Sequence, residues 1–82
     1  MEKEKAISIA EALGFNMDYD QWDVDSKGWI RFTLPDHLDE KNFRLIWYKE
    51  DSIESNIKRG AQIIFKAGQK AKIQQISEYI SL

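Results

Sequence analysis

The sequence predicts an α+β fold: a two-layer domain with a three-stranded antiparallel sheet and helices, in the order α-β-β-β-α-α. Three observations carry this. Residues 19 to 49 are rich in aromatic and β-branched side chains that alternate in twos. Apolar residues recur at helical spacing before and after that stretch. Val24-Asp25-Ser26-Lys27-Gly28-Trp29 has the chemistry of a type I turn closed by a left-handed glycine, the three-residue hairpin connection.

Taking the elements in order, Ala6, Ile9, Ala10 and Leu13 mark a first helix over 3–13. Gly14 stands where a left-handed C-cap belongs, and Phe15 is placed to fold back on the last turn. Asn16 to Asp20 reads as a connection, and strands follow near 20–25 and 28–34. The expected register sets Val24 opposite Ile30, Trp22 opposite Phe32 and Asp23 opposite Arg31, with Gly28 at positive φ. Pro35-Asp36 ends the second strand, because proline cannot donate to a ladder. His37 to Asn42 is a polar loop with room for one helical turn, and Phe43, Leu45 and Trp47 alternate with Arg44, Ile46 and Tyr48 as a third strand. Asp51-Ser52-Ile53-Glu54 starts a long helix, with acids near the positive end of its dipole. Ile53, Ile57, Ala61, Ile64 and Gly68 mark its apolar face, with Gly60 and Ala67 as small residues that admit close approach to the sheet. A last helix from about Lys70 to Ser81 carries Ile73, Ile76 and Ile80 as a narrow stripe. The sheet is expected to turn Trp22, Val24, Ile30, Phe32, Leu34, Phe43, Leu45 and Trp47 toward the helices.

At 82 residues the chain has the length of a single α+β domain, 1–82, with one modest core. No cysteine is present and His37 is the one histidine, so disulfides, thiolate metal sites and the familiar zinc arrangements are excluded. That composition, the charged start Met1-Glu2-Lys3-Glu4-Lys5 and the lack of a long apolar run predict a cytoplasmic chain with no membrane span. Charge is uneven. Residues 1–40 carry four Lys and Arg against ten Asp and Glu, while residues 41–82 carry eight against four.

Motifs that could carry chemistry fail on their particulars. Asp23 to Gly28 looks superficially like the start of a calcium-binding loop, but Lys27 occupies a ligand position and Leu34 stands where a bidentate glutamate is required. Asp36, His37, Asp39 and Glu40 gather in one loop without a distant partner to complete a metal site. Asp18, Asp20, Asp23 and Asp25 form an acidic stripe with no sign of the pocket that separates a general acid from a general base. The serines lack a glycine-flanked elbow, and the glycines are too scattered for a phosphate loop. The reading is therefore non-enzymatic, with no cofactor and no metal.

The outer sheet face is the informative surface. Tyr19, Gln21, Asp23, Trp29, Arg31, Thr33, Arg44, Ile46 and Tyr48 are expected to point away from the helices. Tryptophan, tyrosine and arginine are the residue types that anchor interfaces. The first expectation is a small interaction, regulatory or accessory module that binds an unidentified protein partner, or its own copy, through Trp29, Arg31, Arg44, Ile46 and Tyr48. The second, ranked lower, is a nucleic-acid-binding domain using Lys58, Arg59, Lys66 and Lys70 on the long helix. The α-β-β-β-α order over residues 3 to 67 is similar to the double-stranded-RNA-binding fold. In that family the second helix opens on a lysine-rich stretch, whereas this chain has Glu50-Asp51-Ser52-Ile53-Glu54 at the same place, so the resemblance is one of topology.

Overall fold

The computed structural model describes residues 2–68. They form α1 (Lys3–Ala12), β1 (Asn16–Asp20), β2 (Trp29–Thr33), β3 (Leu45–Tyr48) and α2 (Ile53–Lys66), with 3-10 turns at Pro35–His37 and Lys41–Phe43 between the last two strands. The strands make one antiparallel sheet in the order β1-β2-β3, as the α+β reading expects. The helix expected over residues 70–81 lies outside the described residues.

Both helices use the caps that the sequence proposes. After α1, Gly14 adopts φ 100°. Its N–H donates to the Glu11 carbonyl at 2.9 Å and the Phe15 N–H to that of Ala10 at 3.0 Å, which satisfies two orphan carbonyls and turns Phe15 into the core. The Ser52 side chain accepts from the Ser55 N–H at 3.1 Å to cap α2. Both helices pack on one side of the sheet, where Ala6, Ala10, Leu13, Phe15, Ile57 and Ile64 meet Ile30, Phe32, Leu45 and Trp47. Burying each of the larger apolar side chains is worth roughly 1.5–3 kcal/mol, so this inner layer outweighs any single polar contact.

The hairpin departs from its expected register. Asp20 faces Ile30, Tyr19 faces Arg31 and Met17 faces Phe32, with a bulge between Met17 and Tyr19. The segment expected to be a connection, Asn16 to Asp20, is therefore the first strand. Residues 22–28 form the loop, beyond a Gln21–Trp29 pair closed by bonds of 2.9 and 3.3 Å. Side chains drive the change. Asp20 Oδ1 accepts the Trp22 N–H at 2.9 Å and Asp25 Oδ1 the Lys27 N–H at 2.7 Å, so two local turns replace ladder pairs. Gly28 does not take the expected positive φ, which among described glycines belongs to Gly14 and Gly68. It is required for a different reason: a Cβ there would stand 2.0 Å from the Trp22 carbonyl oxygen. Trp22 still reaches the core at 3% exposure, folding in from the loop, with the Lys49 ammonium bonded to its carbonyl at 3.2 Å.

One expected core residue moves outward and another lies at the core's margin. Val24 sits on the loop at 65% exposure. Phe43 is half-buried in a 3-10 turn, where it still packs against the core, with its ring 4.7 Å from that of His37. From Tyr19 to the loop the sheet is phased as expected, because the slip between expected and observed register there is four residues, becoming five only beyond the bulge. That even slip keeps Tyr19 and Gln21 on the face expected for them.

Both sheet edges are blunted. On β3 the fully buried Asn56 of α2 acts as a surrogate strand: its Oδ1 accepts from the Tyr48 N–H at 2.9 Å and its Nδ2 donates to the Tyr48 carbonyl at 3.0 Å. Arg59 Nη2 covers the Ile46 carbonyl at 3.3 Å. On β1 the bulge interrupts the flat ladder that another chain would need for pairing.

Candidate partner-binding face

The side of the sheet away from the helices is built in three cross-strand rows. Gln21, Trp29 and Tyr48 form the row nearest the hairpin loop, Tyr19, Arg31 and Ile46 the middle row, and Asn16 and Thr33 the far one. Arg44 extends that far row. It has extended backbone (φ −89°, ψ 134°) and immediately precedes Leu45, whose side chain is buried on the helical side.

Trp29, Arg31, Arg44, Ile46 and Tyr48 are thus brought to one face. Tyr19 and Tyr48 are exposed there, and Trp29, Arg31, Arg44 and Ile46 are half-buried among their neighbours. Two residues expected on this face behave differently. Thr33 is buried at 5% exposure, and Asp23 lies on the loop, 3.7 Å from the Lys3 ammonium. Tyr19 and Trp29 rings lie 5.7 Å apart and tilted by 33°, and Gln21 Nε2 donates to the Tyr19 hydroxyl at 2.6 Å. Aromatic pairs at such spacing hold one another's rotamers, so little ordering is left for a partner to impose.

The cations on or beside this face differ in commitment. Arg31 Nε donates to Asp18 Oδ2 at 2.7 Å, and its guanidinium lies 5.4 Å from the Tyr19 ring centre. The bulge makes that pair, since the extra residue Asp18 turns its carboxylate outward. Arg59 wraps round the β3 edge, 5.0 Å from the Tyr48 ring, bonded to Asp51 at 2.9 Å and also to Asn56 Oδ1. Arg44 has no acid or carbonyl partner among the described residues, and its Nε is shut away from water without an acceptor.

The helix face expected to meet nucleic acid is partly spoken for. Lys58 pairs with Glu54 at 3.1 Å, Arg59 is held as above, Lys66 is exposed, and Lys70 lies outside the described residues. In the Asp36 to Glu40 loop, His37 Nδ1 meets Glu40 Oε1 at 3.0 Å, and no group of three or more metal-ligating side chains occurs among the described residues. The acidic stripe is divided between faces: Asp18 serves the outer one, while Asp20 holds the N-terminus of α1 through Lys3. That hydrogen bond from Lys3, helped by the Trp22 N–H, holds the Asp20 carboxyl below its ordinary range, and the same contact raises Lys3.

Asn56 is the residue that sequence reasoning missed. It falls among Ile53, Ile57, Gly60 and Ile64 on the apolar stripe of α2, and an amide in that position has to find partners inside. No helix among the described residues is long and apolar enough to cross a membrane. In comparisons with protein-family models, curated proteins and solved structures, nothing matches this chain significantly.

Proposed function

We propose that this chain is a non-enzymatic interaction module that binds a protein partner through the outer face of its sheet, with Trp29 and Tyr48 as anchors and Ile46, Arg31 and Arg44 around them. The observation that carries this reading is the cross-strand aromatic row, Trp29 facing Tyr48 with Tyr19 beside it, on the side that no described helix covers. Large rigid rings with a polar handle give contact area at small entropic cost, and a contiguous patch of them on a surface marks a binding site. Blunted edges support the same reading, since they direct a partner toward the face and away from strand addition. Binding to nucleic acid has less support, because Lys58 and Arg59 are already paired with acids of their own helix and its cap region.

The test is a pair of substitutions, Trp29→Ala and Tyr48→Ala, assayed by pull-down against candidate partners and by static light scattering for self-association. Association is expected to fall at least tenfold while thermal melts remain cooperative and within a few degrees of wild type. If Trp29→Ala melts the domain outright, the tryptophan is core and the face is no docking surface. Steep loss of binding to short DNA or RNA with rising salt would favour the nucleic-acid reading instead.

A further inference from the structure

Resting on that reading, we infer that the occupant of the outer face is a short extended segment of a partner protein carrying an Asp or Glu, whose carboxylate pairs with Arg44 while a neighbouring apolar side chain lies against Ile46, Trp29 and Tyr48. Charge points to the acid. Arg31 is held by Asp18 and Arg59 by Asp51, whereas Arg44 has neither acid nor carbonyl among the described residues; Nε is desolvated without an acceptor in both Arg44 and Arg59, but Arg59 has an acid on its other nitrogens and Arg44 has none. A guanidinium with no acid beside it is under-compensated, and a carboxylate reaching its Nη groups supplies the charge-assisted contact it lacks. The apolar requirement follows from the adjacent rows, where Arg44 immediately precedes the strand that carries Ile46 and Tyr48.

Size points to a segment in preference to a second copy. Strands of four or five residues, at about 3.3 Å per residue and about 4.8 Å between strands, give a face roughly 16 Å by 14 Å in plan. A stable protein–protein interface uses about 800 Å² on each partner, several times that plan area. About five extended residues span it. The segment lies on the face and does not extend the sheet, because Asn56 and Arg59 occupy the outer edge of β3 and the bulge breaks that of β1.

The experiment is selection of a displayed random 12-residue peptide library on the full chain at moderate salt. The two most enriched peptides are then titrated, each also with its acid replaced by the corresponding amide, against wild type, Arg44→Met, Arg44→Lys and Trp29→Ala. Enriched peptides are expected to share an acid within two residues of a large apolar side chain. Arg44→Met should weaken binding about tenfold, Arg44→Lys less, and the acid-to-amide change should cost tenfold in wild type yet almost nothing in Arg44→Met. Arg44→Lys keeps the charge and long stem, so it serves the same comparison if Arg44→Met fails to fold. Enrichment of peptides without an acid, an acid effect indifferent to Arg44, or no enrichment at all overturns this inference. In the first two cases continued dependence on Trp29 leaves the docking face standing, whereas binding indifferent to Trp29 removes the docking reading itself.

Discussion

Replacing Asn56 with alanine is the sharpest probe of how this sheet is finished. The amide is wholly buried and holds both backbone groups of Tyr48, at 2.9 and 3.0 Å, together with a contact to the Arg59 guanidinium. Its remaining side-chain bond, to the Ser52 carbonyl at 3.0 Å, is the least consequential, since that carbonyl also accepts the Asn56 N–H at 3.2 Å. Leaving a buried polar group unpaired costs about 1–3 kcal/mol. Tyr48 is 37% exposed, so water reaches its edge and the low end applies, near 1 kcal/mol for each of its two groups. Truncating a fully packed side chain adds about 1 kcal/mol more, for a total of about 2–3 kcal/mol. A domain of this length is stable by about 4–12 kcal/mol, so the loss is a large fraction of the whole. Urea unfolding followed by far-UV circular dichroism should show a midpoint lowered by about 2–3 M at unchanged slope, taking a slope near 1 kcal/mol/M. Amide exchange at Tyr48 should quicken in parallel. A change below about 0.5 kcal/mol would refute the reasoning, because solvent would then be replacing the amide without cost.

Three further outcomes follow from single contacts. Gly28→Ala sets a methyl into the Trp22 carbonyl and should destabilise by about 3 kcal/mol or more, read by chemical denaturation, with the loop and the Lys49 contact displaced. Gly60→Ala should do the opposite, stabilising by up to about 1 kcal/mol in the same assay: its Cβ would meet Leu45, Phe15 and Leu13 at 3.4, 3.5 and 3.6 Å, ordinary contact distances, while helix propensity improves. Asp20→Asn keeps an acceptor for the Trp22 N–H but removes the charge facing Lys3. Because the folded Asp20 pKa is lowered, the carboxylate stabilises above its unfolded value and that contribution fades as pH falls through the folded one. The variant should melt below wild type at neutral pH, and the gap should close in acid.

Helix periodicity, the caps at Gly14 and Ser52 and the two-residue alternation of Ile30 to Phe32 and Leu45 to Tyr48 were all legible in the sequence, because each depends on neighbours within four positions. The hairpin register was not. Its turn residues fit a three-residue connection, and only the competing bonds of Asp20 and Asp25 and the long-range burial of Trp22 select the wider loop. The outer face was recovered despite that error because the slip was even, which left Tyr19, Gln21, Trp29 and Arg31 on the side expected for them. Close approach at Gly60 was legible too, but the space a methyl would fill is a three-dimensional quantity that no spacing rule reports. Likewise the pairing state of the arginines, which separates Arg44 from Arg31 and Arg59, arises from residues up to thirteen positions apart.

The extra residue in β1 has a bearing on how the chain can change. Phe15 points inward and Tyr19 outward although they are four apart, a spacing that in a regular strand would set both on one side. Counting Asp18 out of the ladder resolves the parity, so a chain lacking that position would keep the same inside and outside. What it would forfeit is the acid that restrains Arg31 and the kink that keeps the margin of the sheet from lying flat. Correct folding and resistance to stacking against identical neighbours thus have separate origins within one short strand, and the second can be lost without disturbing the first.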